Sequence, residues 1–187
     1  MQSQPYRLLD ESEYLALEAR SPVRHEYVAG EIFAMTGASV RHNIIAGNLY
    51  TALRTHLRGT PCRALMEGVK LYLKKERSYF YPDVMVTCES RLLELDAETQ
   101  LVDSPALIIE VLSPSTEGID RREKLFAYQT ITSLHEYLLV DPDKRCVEVY
   151  RFGEKVRHET YTEGSFRLDC LDAVVALDEV YIDAEAV

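Results

Sequence analysis

Apolar and polar positions along this chain follow two periods, and the changes from one to the other mark its elements. Between residues 40 and 57, Ile45, Leu49, Ala52 and Leu53 recur at helical spacing, which predicts one long amphipathic helix. His42 falls on the same apolar stripe. Residues 10–19 predict a shorter helix, capped by Asp10 or Ser12, with Leu15 and Ala19 on one face and Ser21-Pro22 as its stop. Segments 25–29 and 31–35 flank Gly30 and predict a hairpin, because glycine enters the left-handed turn conformation without a Cβ penalty.

Beyond the breaker Gly59-Thr60-Pro61, three strands are expected, over 62–66, 69–74 and 79–87. Val69, Leu71 and Leu73 alternate with Lys70, Tyr72 and Lys74, so the middle strand has one wet face. Residues 89–104 are polar and acidic and predict a long connection, with a helical turn around 92–95. The nearly continuous apolar run 106–112 has the composition of a central strand covered on both faces. After a loop over 113–118, a helix is expected over 120–131, a buried strand over 136–141, and a hairpin of 146–152 with 155–161 around Gly153-Glu154. Short apolar pieces near Leu168 and Val174 end the pattern. This order predicts a mixed α/β protein with one main sheet flanked by helices, a single domain over residues 1–187.

Two of the apolar runs each carry one carboxylate: Asp83 in Tyr81-Pro82-Asp83-Val84-Met85-Val86, and Glu110 in Leu107-Ile108-Ile109-Glu110-Val111-Leu112. A lone ionised carboxylate in an apolar strand costs several kcal/mol unless paired or bound to a cation, so two such groups call for one shared explanation. Asp83 lies near the start of its strand and Glu110 near the end of its own. Antiparallel pairing would therefore bring them to one edge of the sheet. Oxygen donors open to water suit Mg2+ or Mn2+, which retain several waters. Asp120 and Lys124 stand one helical turn apart on the next helix. They form either a surface ion pair or a group that turns Lys124 over the sheet edge, where an ammonium orients water or stabilises charge on a phosphate.

Composition narrows the function classes. The formal net charge of -10 weighs against tight binding to nucleic acid across the whole surface, although Lys and Arg cluster over 54–63, 70–77 and 121–124, and an acidic protein can carry a basic cleft. Cys62, Cys88, Cys146 and Cys170 lack zinc spacing and predict reduced, mostly buried thiols. No apolar run reaches the roughly eighteen residues of a membrane span, and the first twenty residues lack a secretory apolar core. A soluble cytoplasmic protein is expected. Ser113 and Ser115 have no histidine partner in context, so they fit helix caps or loop positions better than a serine nucleophile.

The ordered set His25-Glu26-Tyr27, Gly30-Glu31, Met35, Arg41-His42-Asn43, Tyr81-Pro82-Asp83-Val84, Ile109-Glu110-Val111-Leu112-Ser113-Pro114-Ser115-Thr116, Asp120 with Lys124 and Tyr128, and Glu136-Tyr137 before Val140-Asp141 resembles the putative restriction endonuclease family of bacterial proteins, in the PD-(D/E)xK nuclease superfamily. The resemblance implies a restriction-endonuclease-like core and a Mg2+- or Mn2+-dependent hydrolysis of DNA phosphodiesters. It makes Asp83 and Glu110 the two metal-binding carboxylates. The superfamily pattern has Lys two residues after the second carboxylate, where this chain has Leu112, so the resemblance implies Lys124 as the substitute, with Lys70 the weaker one. A further acidic ligand is implied from before the long helix; Glu31 is the choice over Glu26 and Glu67. His42 reads as a phosphate or water contact or as a hydrogen-bonded core residue. Gln129 is a candidate substrate contact, while Tyr128 shares the helix stripe and reads as core. A homodimer is expected, since cutting two strands favours two sites. From a different class, an inactive member serving as an oligomeric interaction or nucleic-acid-binding module fits the acidic charge and the displaced lysine.

Overall fold

The long helix begins at Ser39, whose side chain accepts the His42 N–H at 3.1 Å and satisfies one of the amides that a helix start leaves unpaired. In the computed structural model, which describes residues 8–35, 37–88, 101–114 and 116–184, this helix, α2, runs Val40–His56 after α1, Glu11–Glu18. Its stripe Ile45, Ala46, Leu49 and Leu53 is buried, at roughly 1.5 to 3 kcal/mol for each of the larger side chains. Asp10 caps α1 in a reciprocal capping box with Glu13.

Two sheets carry all the strands but the last two. The larger contains β3 (Arg63–Met66), β6 (Val84–Thr87), β8 (Leu107–Val111), β9 (Glu136–Asp141), β10 (Cys146–Arg151) and β11 (Arg157–Tyr161), in the order β11-β10-β9-β8-β6-β3. Its β8–β9 pair is parallel and the others are antiparallel. A parallel pair needs a crossover, supplied here by a π-helical turn, Ile119–Lys124, that runs into α3, Leu125–Tyr128. The smaller sheet has the order β2-β1-β5-β4-β7, from β1 (His25–Val28), β2 (Glu31–Ala34), β4 (Lys70–Leu73), β5 (Ser78–Phe80) and β7 (Leu101–Val102). A last hairpin, β12 (Ser165–Leu168) with β13 (Ala173–Ala176), leads to α4, Leu177–Tyr181, which is tied to α2 by Asn48 Nδ2 donating to Val180 O and Ile182 O.

Alternation along β6 and β8 divides the interior in two. Val84, Val86, Leu107, Ile109 and Val111 join α2 and α4 in one core. Met85, Ile108, Tyr137 and Leu139 face the other way, onto Leu71, Leu73 and Phe80 of the smaller sheet. The run expected to be covered on both faces is so covered.

The mixed architecture matches the expectation, but three local readings change. The single strand expected over 79–87 is two: β5 pairs with β1 and β4, and β6 pairs with β3 and β8. Pro82 lies between them, and it has no N–H to continue a ladder. Cys62 and Cys88, expected as thiols, form a disulfide. The β3–β6 register, Arg63↔Thr87, continued by one residue puts them opposite each other, a proximity invisible in their sequence spacing. The helix expected over 120–131 begins as a π-turn and is shorter. The helical turn expected over 92–95 and Ser115 fall outside the described residues. In the β1–β2 hairpin, Ala29 and Gly30 have φ of 51° and 97°, as a two-residue turn requires, and a Cβ at Gly30 would meet Leu8 Cβ at 3.0 Å.

Glu136 locks the far side of the larger sheet. Its buried carboxylate accepts Arg151 Nε at 3.0 Å, the Asp169 N–H at 3.2 Å and the Cys170 N–H at 3.1 Å. Glu136→Ala would leave the buried Arg151 guanidinium with Glu159, the part-exposed Asp169 and the Arg167 carbonyl, and would strand the Asp169 and Cys170 N–H groups. We expect a loss of about 3 kcal/mol in urea unfolding, with no loss of any activity per folded molecule.

Candidate functional site

Between the two sheets, Tyr81-Pro82-Asp83 crosses the floor of a cavity of about 1090 Å³. The β6–β8 register, Val84↔Ile109, continued by one residue puts Asp83 opposite Glu110. The antiparallel pairing expected to join these carboxylates is therefore present, and both line the cavity. Asp83 is held twice through Oδ2, by the Val111 N–H at 2.7 Å and by His42 Nε2 at 3.1 Å. Glu110 Oε1 accepts Tyr128 OH and Lys124 Nζ, each at 3.0 Å.

Lys124 is the centre of the site. Its Nζ lies 3.0 Å from Glu26 Oε1, 3.0 Å from Glu110 Oε1 and 3.1 Å from Asp120 Oδ1, and only 4% of the residue is exposed. The surface ion-pair reading of Asp120 and Lys124 fails because both are buried. The ammonium meets Asp120 Oδ1 at ion-pair distance but outside hydrogen-bonding directions, and among the described residues neither that buried oxygen nor His42 Nδ1 has a hydrogen-bond partner. The π-turn widens the helix just where Asp120 and Lys124 turn inward, a local form that recurs at functional sites.

The pocket is acidic around its lysine: Glu26, Glu110 and Asp120 meet one ammonium, and Asp83 pairs with His42. Burial holds the Glu110 carboxyl well above the usual range, against the pull of Lys124 and with Asp120, Asp83 and Glu26 pushing the same way. Burial would lower Lys124, but Glu110 and Glu26 outweigh it and keep the ammonium charged. His42 is likewise opposed by burial yet raised by its hydrogen bond and charge contact with Asp83. His42 lines the cavity and meets Asp83 Oδ2 at 3.1 Å.

Two candidates are not brought in. Glu31 sits exposed at the hairpin tip opposite Val28, while Glu26, on the same face two residues further from the turn, meets Lys124. Gln129 is exposed at the end of α3, and its neighbour Tyr128 reaches Glu110 instead. Lys70 lies over the Tyr14 ring in the smaller sheet, 6.0 Å from its centroid. Glu67 lines the cavity without meeting Lys124. Among the described residues, no group of three His, Cys, Asp or Glu side chains stands in an arrangement that could hold a metal. The inward turn of Glu26 went unread because a strand pattern names a face and not which end of it meets the sheet edge.

The larger sheet thus carries the paired strand carboxylates Asp83 and Glu110 beside the buried Lys124. The chain belongs to the family described as "Putative restriction endonuclease" (Uma2), whose model matches residues 11–177. It is 38% identical over 148 residues to the uncharacterized protein slr1290 of Synechocystis sp., covering 79% of this chain and 76% of that one. It is 37% identical over 145 residues to the uncharacterized protein sll1609 of the same organism, covering 78% and 81%. Its fold is similar to that of a putative nuclease belonging to DUF820 from Anabaena variabilis, with a TM-score of 0.76 over 92% of this chain and 97% of that chain, at 16% identity. No helix among the described residues is long and apolar enough to cross a membrane.

Proposed function

We propose that this protein is a metal-dependent endonuclease that hydrolyses DNA phosphodiesters, with Asp83 and Glu110 as the carboxylates that hold Mg2+ or Mn2+. The observation that carries the reading is the Asp83–Glu110 pair at the cavity floor, with the buried Lys124 ammonium 3.0 Å from Glu110. Two carboxylates completed by waters and substrate phosphate are an ordinary donor set for Mg2+. The gathering of three carboxylates, Glu26, Glu110 and Asp120, on one ammonium favours a bound cation as well. Such an ion supplies Lewis-acid activation of water and of the scissile phosphate.

The chain's own groups do the positioning. His42 and the Val111 N–H orient Asp83 from one side, and Tyr128 orients Glu110 from the other. Lys124, held by Glu26 and Asp120, presents its ammonium where charge develops on the phosphate or where the attacking water must be aligned. We expect wild-type protein to nick supercoiled plasmid with Mg2+ or Mn2+, chelator to stop it, and Glu110→Gln to be inactive. Equal nicking by wild type and Glu110→Gln would refute the assignment, since a contaminant explains it better. The noncatalytic reading, to which the triple hold on Lys124 lends some support, predicts no nicking by either.

A further inference from the structure

The cavity walls differ from its floor. Among the few cationic side chains there, Lys124 is tied to three carboxylates and Arg41 Nη1 to Asp143 at 2.8 Å. Arg24 differs: it is exposed, and among the described residues its guanidinium has no carboxylate partner. It is nevertheless held in place, 5.7 Å over the Tyr81 ring and packed against Gly68, where an added Cβ would meet Arg24 Nη2 at 3.2 Å. The Arg24 carbonyl accepts the Met35 N–H at 2.9 Å, which fixes it beside the open end of the β1–β2 hairpin. There Val23, Phe33 and Val40 line the same cavity with 45%, 38% and 66% of their surface exposed.

One guanidinium that has no carboxylate partner among the described residues, beside an exposed aromatic and aliphatic lip and above acidic residues, is poor equipment for duplex DNA. Duplex binding draws on many Lys and Arg contacts to phosphates, and this chain carries a net charge of -10. A single strand is bound differently: each base stacked on an aromatic ring contributes about 1 to 3 kcal/mol, and few phosphates need be neutralised. We propose that the cavity takes an unpaired DNA strand, with one phosphate on the Arg24 guanidinium and one base against Phe33. This rests on the nuclease reading for the bond that is cut, and adds the substrate class and two substrate-binding residues.

Fluorescence anisotropy in EDTA, with labelled oligo-dT and a blunt duplex of equal length as probes, reads binding apart from cleavage. The strand should bind wild type at least about tenfold tighter than the duplex. Phe33→Ala should weaken strand binding by about 5- to 100-fold. Arg24→Ala should weaken it and lower the salt slope by about 0.7, with Arg24→Lys restoring the slope. Both side chains are exposed, so thermal melts should match wild type. Duplex binding as tight as strand binding, or both alanine variants binding like wild type, overturns the proposal. Two outcomes separate it from the nuclease reading. Strand binding lost in both variants by a protein that cuts nothing supports this proposal and sinks that one. Duplex cleavage that requires Glu110 but neither Arg24 nor Phe33 does the reverse.

Discussion

Lys124→Met is expected to destabilise the protein by about 3 to 5 kcal/mol near neutral pH, because it leaves Glu26, Glu110 and Asp120 around a buried site with no compensating charge. The methionine fills much of the lysine stem's space beside Phe80, whose ring lies 5.8 Å from Nζ, so the loss reports charge rather than a cavity. The deficit must also depend on pH. Burial already raises the Glu110 carboxyl beside the ammonium, and without the ammonium its direction is further upward. A carboxyl raised in the folded state contributes stability that is present below its unfolded value and lost as pH rises through the folded one. The variant should therefore recover relative to wild type as pH falls, as one buried carboxylate takes up a proton. Urea unfolding as a function of pH tests this; a deficit that stays constant would mean the three carboxylates do not share one uncompensated charge.

Asp83→Asn should show the opposite balance, with little change in stability and a large loss of activity. An amide oxygen still accepts the Val111 N–H, so the β6–β8 edge remains pinned and the fold should lose no more than about 1 to 2 kcal/mol. The amide is a poor ligand for a hard cation, and plasmid nicking should fall by at least about 100-fold. His42 gives a readout that a general loss of structure would not move. Its raised protonation depends on the charge and hydrogen bond of Asp83 working against burial, so an NMR titration should find its pKa lower in the variant. An unchanged His42 titration would remove Asp83 as its partner.

Much of this site was legible because charge in an apolar strand is hard to hide. Asp83 and Glu110 stand out in their runs, and the direction of two strands suffices to join them. Lys124 was legible as the partner of Asp120 and, through the resemblance, as the substitute for the lysine missing at Leu112, but the convergence of Glu26 from β1 and Glu110 from β8 on it depends on how two sheets pack. Glu26 and Glu31 share one face of a hairpin, and nothing in a four-residue strand says which end points into the cavity. The division of β5 from β6 at Pro82 was not read, because the apolar run continues through it and the exchange between sheets that separates the two strands is tertiary. The Cys62–Cys88 pair needs the strand register before it can be read at all.

The central claim, that Asp83 and Glu110 together hold a divalent cation, is tested most directly by calorimetric titration of Mn2+ into wild type, Asp83→Ala and Glu110→Ala. Saturable binding to wild type, weakened at least about tenfold in both variants, is the predicted result. Equal Mn2+ binding by all three proteins, or none by wild type, would contradict it.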